Sequence, residues 1–220
     1  MSIDALRSEI CRVGRSLFER GYVHASAGNI SVRLTEGRGY LITPTDACLG
    51  FLQPHALAHV NLEGTQLSGE PASKTLAMHR GIYAAEPEAH CVIHSHATHL
   101  VALTFAGVWQ TNDVVPPITP YYVMKVGHVP LIPYHRPGDP AAAEAVAAAI
   151  AAARARGAPI RAVLLERLGP NVWHDSPASA MAVLEELEET ARLWLMSERS
   201  ATPLTDAQID ELRRSFGARW

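Results

Sequence analysis

The feature that most constrains the fold is the alternation of helix-type and strand-type hydrophobic patterns along one uninterrupted chain. Apolar residues recur every three or four positions from Ile3 to Phe18, as on the buried stripe of a helix. Short β-branched runs such as Cys91–His94 and 160–165 instead indicate buried strands. Neither a repeat nor a linker rich in Gly, Ser or Pro interrupts this pattern. We therefore expect a single α/β domain over residues 1–220, with helices on both faces of a mixed sheet.

Turn residues and capping signals predict further elements. Ser176 before Pro177 is typical of a helix start, and Thr205 with Gln208 matches a capping box. The region 116–133, which is rich in Pro, Val and Tyr, predicts short strands broken by turns. Further helices are predicted over 73–85 and 140–156, and further strands over 30–34, 40–43 and 58–61.

The composition excludes several functional classes. With 48% apolar and 19% charged residues, the chain is typical of a globular protein with a sizeable core. A formal charge of −3 without a basic stripe argues against nucleic acid as a partner. No apolar run reaches the roughly 18 residues of a membrane helix, and three scattered cysteines do not suggest a disulfide framework or a cysteine zinc site. We expect a cytoplasmic protein that acts on a small molecule, with no membrane partner.

Eleven histidines are unusual for this length, and the sequence HSH at 94–96 is the most informative cluster. On a strand, residues two apart point to the same side, so His94 and His96 can direct their imidazoles toward one point. A divalent metal binds neutral imidazole nitrogens at about 2.0–2.1 Å. The alternative is that one histidine is a hydrogen-bonded core residue while the others face water.

Three polar turns form a second constellation, namely 28–31 (GNIS), 43–45 (TPT) and Ser73-Lys74. Each offers backbone N–H groups or hydroxyls at a turn or near a helix start, where proteins commonly hold anions. The Lys74 ammonium would add a positive charge. Each turn alone is better explained by turn chemistry and capping, so only their combination predicts a phosphate or carboxylate site.

A family resemblance is carried by strings that run nearly from end to end of the chain: GNIS at 28–31, TPT at 43–45, SGEPASK at 68–74, HSH at 94–96 and VLLERLGPNVW at 163–173. On these strings the sequence resembles the class II aldolase/adducin-like family. The segments 119–139 and 185–193 resemble most closely its 3-oxo-tetronate 4-phosphate decarboxylase branch.

The resemblance implies a three-layer α-β-α fold with a central, mostly antiparallel sheet, and a homotetramer with active sites between subunits. It implies a divalent metal, usually zinc with Mn, Co or Fe as alternatives, bound by His94, His96, a third His and often a Glu. The family's phosphate-binding loops correspond to substrate-binding positions Gly28, Asn29, Thr43, Thr45, Ser73 and Lys74.

The sequence departs from the family pattern at three positions. Thr75 stands where the catalytic Glu is expected, Leu168 replaces the third His, and Asp46 replaces a Gly after TPT. A two-histidine site has open coordination positions unless another group contributes. His99, His135 and Asp46 are the candidates for that group. Thr75 remains a candidate catalytic position because it takes the place of the family's acid/base.

Two further regions bear on catalysis and assembly. Tyr121 best matches the tyrosine that, in the family, reaches a neighbouring subunit's site as proton donor, with Tyr122 as its competitor. The helix predicted over 178–197 has an apolar surface wider than one core-facing stripe, which favours a subunit contact. The four glutamates between 185 and 189 are expected to form a solvated face.

Three functions are compatible with these residues. The first is a metal-dependent lyase, a decarboxylase or retro-aldolase, that forms an enediolate from a small sugar-acid-like substrate. The second is a catalytically lapsed family member that serves in binding or assembly, which Thr75 and Leu168 would explain. The third is a non-haem iron oxidoreductase that uses His94, His96 and a carboxylate such as Asp46.

Overall fold

An eight-stranded sheet forms the centre of the computed structural model, which describes residues 2–220. The strands are β1 (Asn29–Arg33), β2 (Tyr40–Ile42), β3 (Ala58–Val60), β4 (Gln66–Ser68), β5 (Cys91–His94), β6 (Leu131–Ile132), β7 (Ala162–Leu165) and β8 (Gly169–His174). Their spatial order is β4-β3-β2-β1-β5-β8-β7-β6. Among the described strands only β6 and β7 pair in parallel, so the predicted mostly antiparallel sheet is confirmed.

In the part of the chain that the structure describes, six α-helices accompany the sheet: α1 (Ile3–Glu19), α2 (Leu76–Ala85), α3 (Thr98–Ala106), α4 (Pro140–Ala155), α5 (Pro177–Met196) and α6 (Asp206–Phe216). Alternate strand residues face opposite sides, which gives the sheet two buried faces. Ile93 and Val172 belong to the apolar cluster that includes residues of α1, α3 and α5. Val92 and Trp173, their neighbours in sequence, belong to the cluster that includes residues of α2 and α4. The predicted three layers are therefore confirmed.

The predicted capping residues occupy the expected places. Ser176 accepts a hydrogen bond from the Ser179 N–H at the start of α5. Thr205 and Gln208 form a reciprocal capping box at the start of α6. Each such cap contributes about 1 kcal/mol to helix stability. Within residues 2–220, no helix is both long enough and apolar enough to cross a membrane.

Two predicted elements differ from the structure. The helix expected from Ser73 begins at Leu76, because the Ser73 N–H bonds to the Thr43 carbonyl and ties this segment to the end of β2. The strands expected over 116–133 are largely replaced by a π-helical turn at Tyr122–Val126. The hydroxyl of Thr119 accepts the Tyr122 N–H at its start, and only the two residues of β6 are extended strand.

The glutamates expected on a solvated face divide between two environments. Glu189 is exposed and pairs with Arg192, whereas Glu188 is buried and contacts the start of α3. The broad apolar surface of α5 is also largely used within the chain, since Val183, Leu184 and Leu187 are all buried.

Candidate active site

The two histidines of HSH lie together at one end of the central strands. His94 is the last residue of β5, and His96 lies in the short connection to α3. Their ring centroids are 5.0 Å apart, with the planes at 71°. The two imidazoles therefore converge as the sequence predicts, although β5 ends before His96.

The tautomer of His94 follows from its hydrogen bond. Its Nδ1 lies 3.0 Å from the carbonyl oxygen of Pro170, which can only accept, so Nδ1 carries the hydrogen. This leaves the Nε2 lone pair free for a ligand. Proteins commonly orient a metal-binding imidazole through such a carbonyl bond to its other nitrogen.

Both imidazoles are held in the neutral form. Burial, and secondly the neighbouring His96, lowers the pKa of His94 from 6.5 to about 4. Burial, followed by the nearby His24, also lowers the pKa of His96. A metal requires the neutral imidazole, so His94 is ready to bind one at pH 7.

Unpaired polar atoms surround His94. Asn29 on β1 and Asn171 on β8 are its direct cross-strand partners, so their side chains share its face of the sheet. Within residues 2–220, the Oδ1 atoms of both asparagines and the Oγ of Ser95 are buried without a hydrogen-bond partner. Buried polar groups in folded proteins are nearly always paired. This concentration of unpaired atoms around a neutral imidazole fits a site for a polar ligand or a hydrated metal.

A third imidazole not predicted from the sequence, that of His24, lies in the loop after α1. Its ring centroid is 6.1 Å from that of His96, and the rings are close to perpendicular. Nothing in the local sequence marks this histidine, because it is about 70 residues away from HSH along the chain. It is nevertheless the imidazole that lies beside the predicted pair.

None of the three candidates for a further ligand joins the histidine pair. His99 instead contacts Glu188, with 2.7 Å between its Nδ1 and the carboxylate. Asp46 is exposed, and its φ of 55° explains why the family pattern has Gly there. His135 lies in the loop between β6 and α4. Within residues 2–220, no group of three His, Cys, Asp or Glu side chains is placed to hold a metal ion.

The three loops predicted to bind an anion are joined by hydrogen bonds. The Thr43 hydroxyl accepts the Ile30 N–H at 3.2 Å, which joins the loop after β2 to the start of β1. The Ser73 N–H bonds to the Thr43 carbonyl, and the Thr45 N–H bonds to the Pro71 carbonyl. Gly28-Asn29, Thr43–Thr45 and Ser73–Thr75 therefore form one continuous rim.

The tight packing at this end of the sheet depends on Gly28. Its φ is 83°, and a Cβ there would lie 2.9 Å from the His94 carbonyl oxygen and 2.7 Å from Val23 Cγ1. The rim thus rests directly on the backbone of the strand that carries His94. This close approach explains the glycine of GNIS.

The segment before α2 holds the remaining predicted rim residues. The Ser73 and Thr75 hydroxyls are 2.9 Å apart and hydrogen-bonded to each other. Lys74 between them is exposed. Thr75 is the N-cap residue of α2, yet its side chain makes no capping bond. Its hydroxyl occupies the position of the family Glu without providing a carboxylate.

The two candidate tyrosines differ sharply in exposure. Tyr121 is 60% exposed, whereas Tyr122 is fully buried and packs against Trp220. Only Tyr121 is therefore available to another subunit. Within residues 2–220, no hydrogen bond or ring contact connects Tyr121 to His94 or His96.

Comparison with known proteins identifies the family of this chain. Residues 8–195 match the family described as class II aldolase and adducin N-terminal domain. The chain belongs to the class II aldolase and adducin family. A relative from Cupriavidus necator named 3-oxo-tetronate 4-phosphate decarboxylase is 58% identical, over 98% of this chain and 97% of its own. The chain is therefore an enzyme of a lyase family.

Solved structures show the same fold. YgbL from Escherichia coli, 40% identical, superposes with a TM-score of 0.86 over 96% of this chain and 99% of its own. L-Fuculose-1-phosphate aldolase from Thermus thermophilus, 28% identical, gives 0.70 over 91% of this chain and 98% of its own. The family resemblance seen in the sequence is thus confirmed.

Proposed function

We propose that this enzyme is a divalent-metal-dependent decarboxylase of a phosphorylated 3-oxo sugar acid, of the 3-oxo-tetronate 4-phosphate type. The observation that carries the proposal is the group around His94. It comprises a neutral imidazole with a free Nε2, a second imidazole at 5.0 Å, and unpaired amide oxygens on both sides. The full-length similarity to a protein named for this reaction supports the substrate class.

His94 and His96 would hold the metal, with zinc as the family's usual ion, and water or substrate would complete the shell. A bound divalent cation would supply Lewis-acid stabilisation for negative charge that develops on a substrate oxygen. We also propose that His24 becomes the third protein ligand, in place of the histidine that Leu168 replaces, through a movement of its loop, because the three imidazoles are not placed for direct coordination in this arrangement. Its ring already lies 6.1 Å from that of His96.

The rim loops would bind the substrate phosphate. Gly28, Asn29, Thr43, Thr45 and Ser73 lie on these joined segments. They would supply backbone N–H groups and hydroxyls that donate hydrogen bonds to the phosphate, and the positively charged Lys74 ammonium would balance its negative charge. Asp46 is exposed, so its carboxylate can face solvent rather than the phosphate.

The threonine at position 75 favours decarboxylation over an aldol reaction. When a 3-oxo acid loses CO₂, the electron pair of the broken C–C bond stays on the remaining substrate, and no base has to remove a proton. A retro-aldol step, in contrast, begins with a base that deprotonates a hydroxyl group. Thr75 cannot act as a carboxylate base, but its hydroxyl and that of Ser73 can orient the substrate.

Protonation of the product carbanion would fall to Tyr121 from a neighbouring chain of a cytoplasmic homotetramer. The exposure of Tyr121 is compatible with this role, and the buried Tyr122 is excluded from it. Leu193 and Met196 on α5 and the aromatic residues Phe51 and Phe105 are exposed apolar side chains available for subunit contacts.

A second candidate function is a catalytically lapsed binding protein. It is favoured by Thr75 and by the absence, within residues 2–220, of a third His, Cys, Asp or Glu placed with the histidine pair. The iron oxidoreductase hypothesis needs a carboxylate beside the pair, and no observation favours it, since the exposed Asp46 does not join the histidines.

Metal binding and turnover in matched variants test the proposal. We expect about one divalent ion per chain in the native protein, with metal and turnover both lost in His94→Ala. His24→Ala should weaken metal binding by about 10- to 100-fold. The control His59→Ala removes an imidazole on β3, whose Nε2 contacts the Arg38 carbonyl, and should change neither quantity.

Two outcomes would contradict the proposal. A protein that takes up no Zn²⁺, Mn²⁺, Co²⁺ or Fe²⁺ on titration would eliminate metal dependence. If the double variant Thr75→Glu, Leu168→His turned over oxo-tetronate phosphates and the native protein did not, the lapsed function would be supported instead.

A further inference from the structure

A second polar cavity lies at the opposite end of α2 from the rim. Its volume is about 370 Å³, within the range of small-molecule pockets. Glu86, directly after α2, lines it, whereas Thr75 directly precedes α2. The ten residues of α2 span about 15 Å. The cavity is therefore separate from the His94 site.

Three arginines line this cavity, but only one has a carboxylate close by. Arg154 lies 3.5 Å from Glu86. Within residues 2–220, neither Arg161 nor Arg219 has a carboxylate within 4.0 Å of its guanidinium. The one hydrogen bond of the Arg161 side chain is to the Lys125 carbonyl at 3.4 Å, which adds no negative charge.

The guanidiniums of Arg161 and Arg219 line the same cavity. Burial, and secondly the charge of Arg219, lowers the pKa of Arg161, while Asp175 and Glu86 act weakly in the opposite direction. Glu88 and Asp175 also line the cavity, but within residues 2–220 neither lies within 4.0 Å of the Arg161 or Arg219 guanidinium. Asp175 is bound to His174, and Glu88 is exposed to solvent. A partly buried guanidinium with no carboxylate at bonding distance, and a second guanidinium lining the same cavity, favour an anion between them.

An independent observation points to the same ligand chemistry. Trp173 lines the cavity and is fully buried, and its Nε1–H has no hydrogen-bond partner within residues 2–220. An indole N–H only donates, so its missing partner must be an acceptor. Buried tryptophan N–H groups usually have one. An anion oxygen in the cavity would supply it after a shift of the lining side chains, because the nitrogen is covered in this structure.

We propose that this cavity binds a small dianion of the phosphate-monoester class. Arg161 and Arg219 hold its charge, and the Trp173 N–H donates a hydrogen bond to one of its oxygens. The proposal does not depend on the reaction at His94, because the cavity and that site share no lining residue.

The indole N–H resonance of Trp173 gives a direct test on the intact protein. The four tryptophans yield four indole signals after ¹⁵N labelling, and Trp173→Phe assigns the relevant one. At constant ionic strength, inorganic phosphate should move that signal downfield in a saturable way. Arg161→Gln with Arg219→Gln should weaken the apparent affinity by about tenfold or more. Arg156→Gln, an exposed arginine outside the cavity, should leave it unchanged.

The result that overturns the proposal is a Trp173 signal that phosphate does not move, or that moves equally in the arginine variants and in native protein. Phosphate bound only at the rim loops would give this result. Unfolding midpoints measured without phosphate verify that each variant is folded. If the double variant does not fold, Arg219→Gln alone, at an exposed side chain, must still weaken binding by about threefold or more.

Discussion

Glu188→Ala should destabilise the enzyme far more than the same change at the adjacent Glu189. The start of α3 immediately follows the HSH segment, and its N-cap residue Ala97 has no side chain able to cap it. Glu188 of α5 performs this function from outside the helix. Its carboxylate accepts the His99 N–H at 2.9 Å and the Leu100 N–H at 3.0 Å. It also contacts His99 Nδ1 at 2.7 Å.

The magnitude follows from burial. The Glu188 side chain is only 4% exposed, so removing it leaves two backbone N–H groups at a covered helix end. Each bond to a charged acceptor is worth about 1.5–3 kcal/mol. Because His99 is partly exposed and water can reach it, we expect a loss of about 3 kcal/mol for Glu188→Ala. For Glu188→Gln, which keeps one accepting oxygen, we expect about half that loss.

Urea unfolding of the native protein and the variants measures these differences. Glu189→Ala is the matched control on the same helix. Its ion pair with Arg192 has a distance of 2.8 Å, but the two side chains are 44% and 47% exposed. Such pairs contribute less than about 1 kcal/mol. Equal losses for Glu188→Ala and Glu189→Ala would refute the capping role of Glu188.

Three other predictions follow from buried groups, backbone geometry and assembly. Burial, and then the neighbouring His94, lowers the pKa of His79 from 6.5 to about 3. As pH falls, the His79 imidazole is protonated in the unfolded chain before it is protonated in the folded protein. The free energy of unfolding therefore decreases as pH falls below 6.5. Between pH 7 and pH 5, native protein should lose about 2 kcal/mol more than His79→Asn, which keeps a partner for the Ser31 hydroxyl. An equal loss in the two proteins would show that His79 does not titrate this way. Gly28→Ala should destabilise by about 2 kcal/mol or more, through its φ of 83° and two contacts under 3.0 Å. Gly21→Ala, with a φ of 74° and nothing within 4 Å, should cost only about 1 kcal/mol. Equal losses of stability for Gly28→Ala and Gly21→Ala would refute the close approach of Gly28 to the backbone of β5. Light scattering should give four times the 23.8 kDa chain mass, and Tyr121→Phe should lower turnover while preserving that mass. A mass near that of one chain would remove Tyr121 from the site.

The sequence was sufficient to predict features that depend on local pattern. The β-branched run before His94 predicted a buried strand, and β5 has the predicted bounds. The capping residues Ser176 and Thr205 could also be predicted, because a helix cap is a contact between residues only two or three positions apart.

Features that depend on contacts between distant segments were not predictable in this way. Glu188 lies in a run of charges typical of a solvated face, and only its meeting with α3, about 90 residues away, makes it a buried cap. His24 joins His96 through the folding of the loop after α1. Helix α2 starts at Leu76 and not at Ser73 because the Ser73 N–H bonds to the Thr43 carbonyl, next to the end of β2. Helix propensity depends on local sequence and does not predict this long-range bond.

The measurement that tests the central claim most directly is product analysis with 3-oxo-tetronate 4-phosphate labelled with ¹³C at its carboxyl carbon. The metal-loaded enzyme should release one labelled CO₂ for each substrate consumed, and His94→Ala should release none. Label retained in a carboxylate product would show cleavage elsewhere in the substrate, as in a retro-aldol reaction. No consumption by the metal-loaded enzyme would contradict the account and leave the lapsed binding protein as the function of this fold.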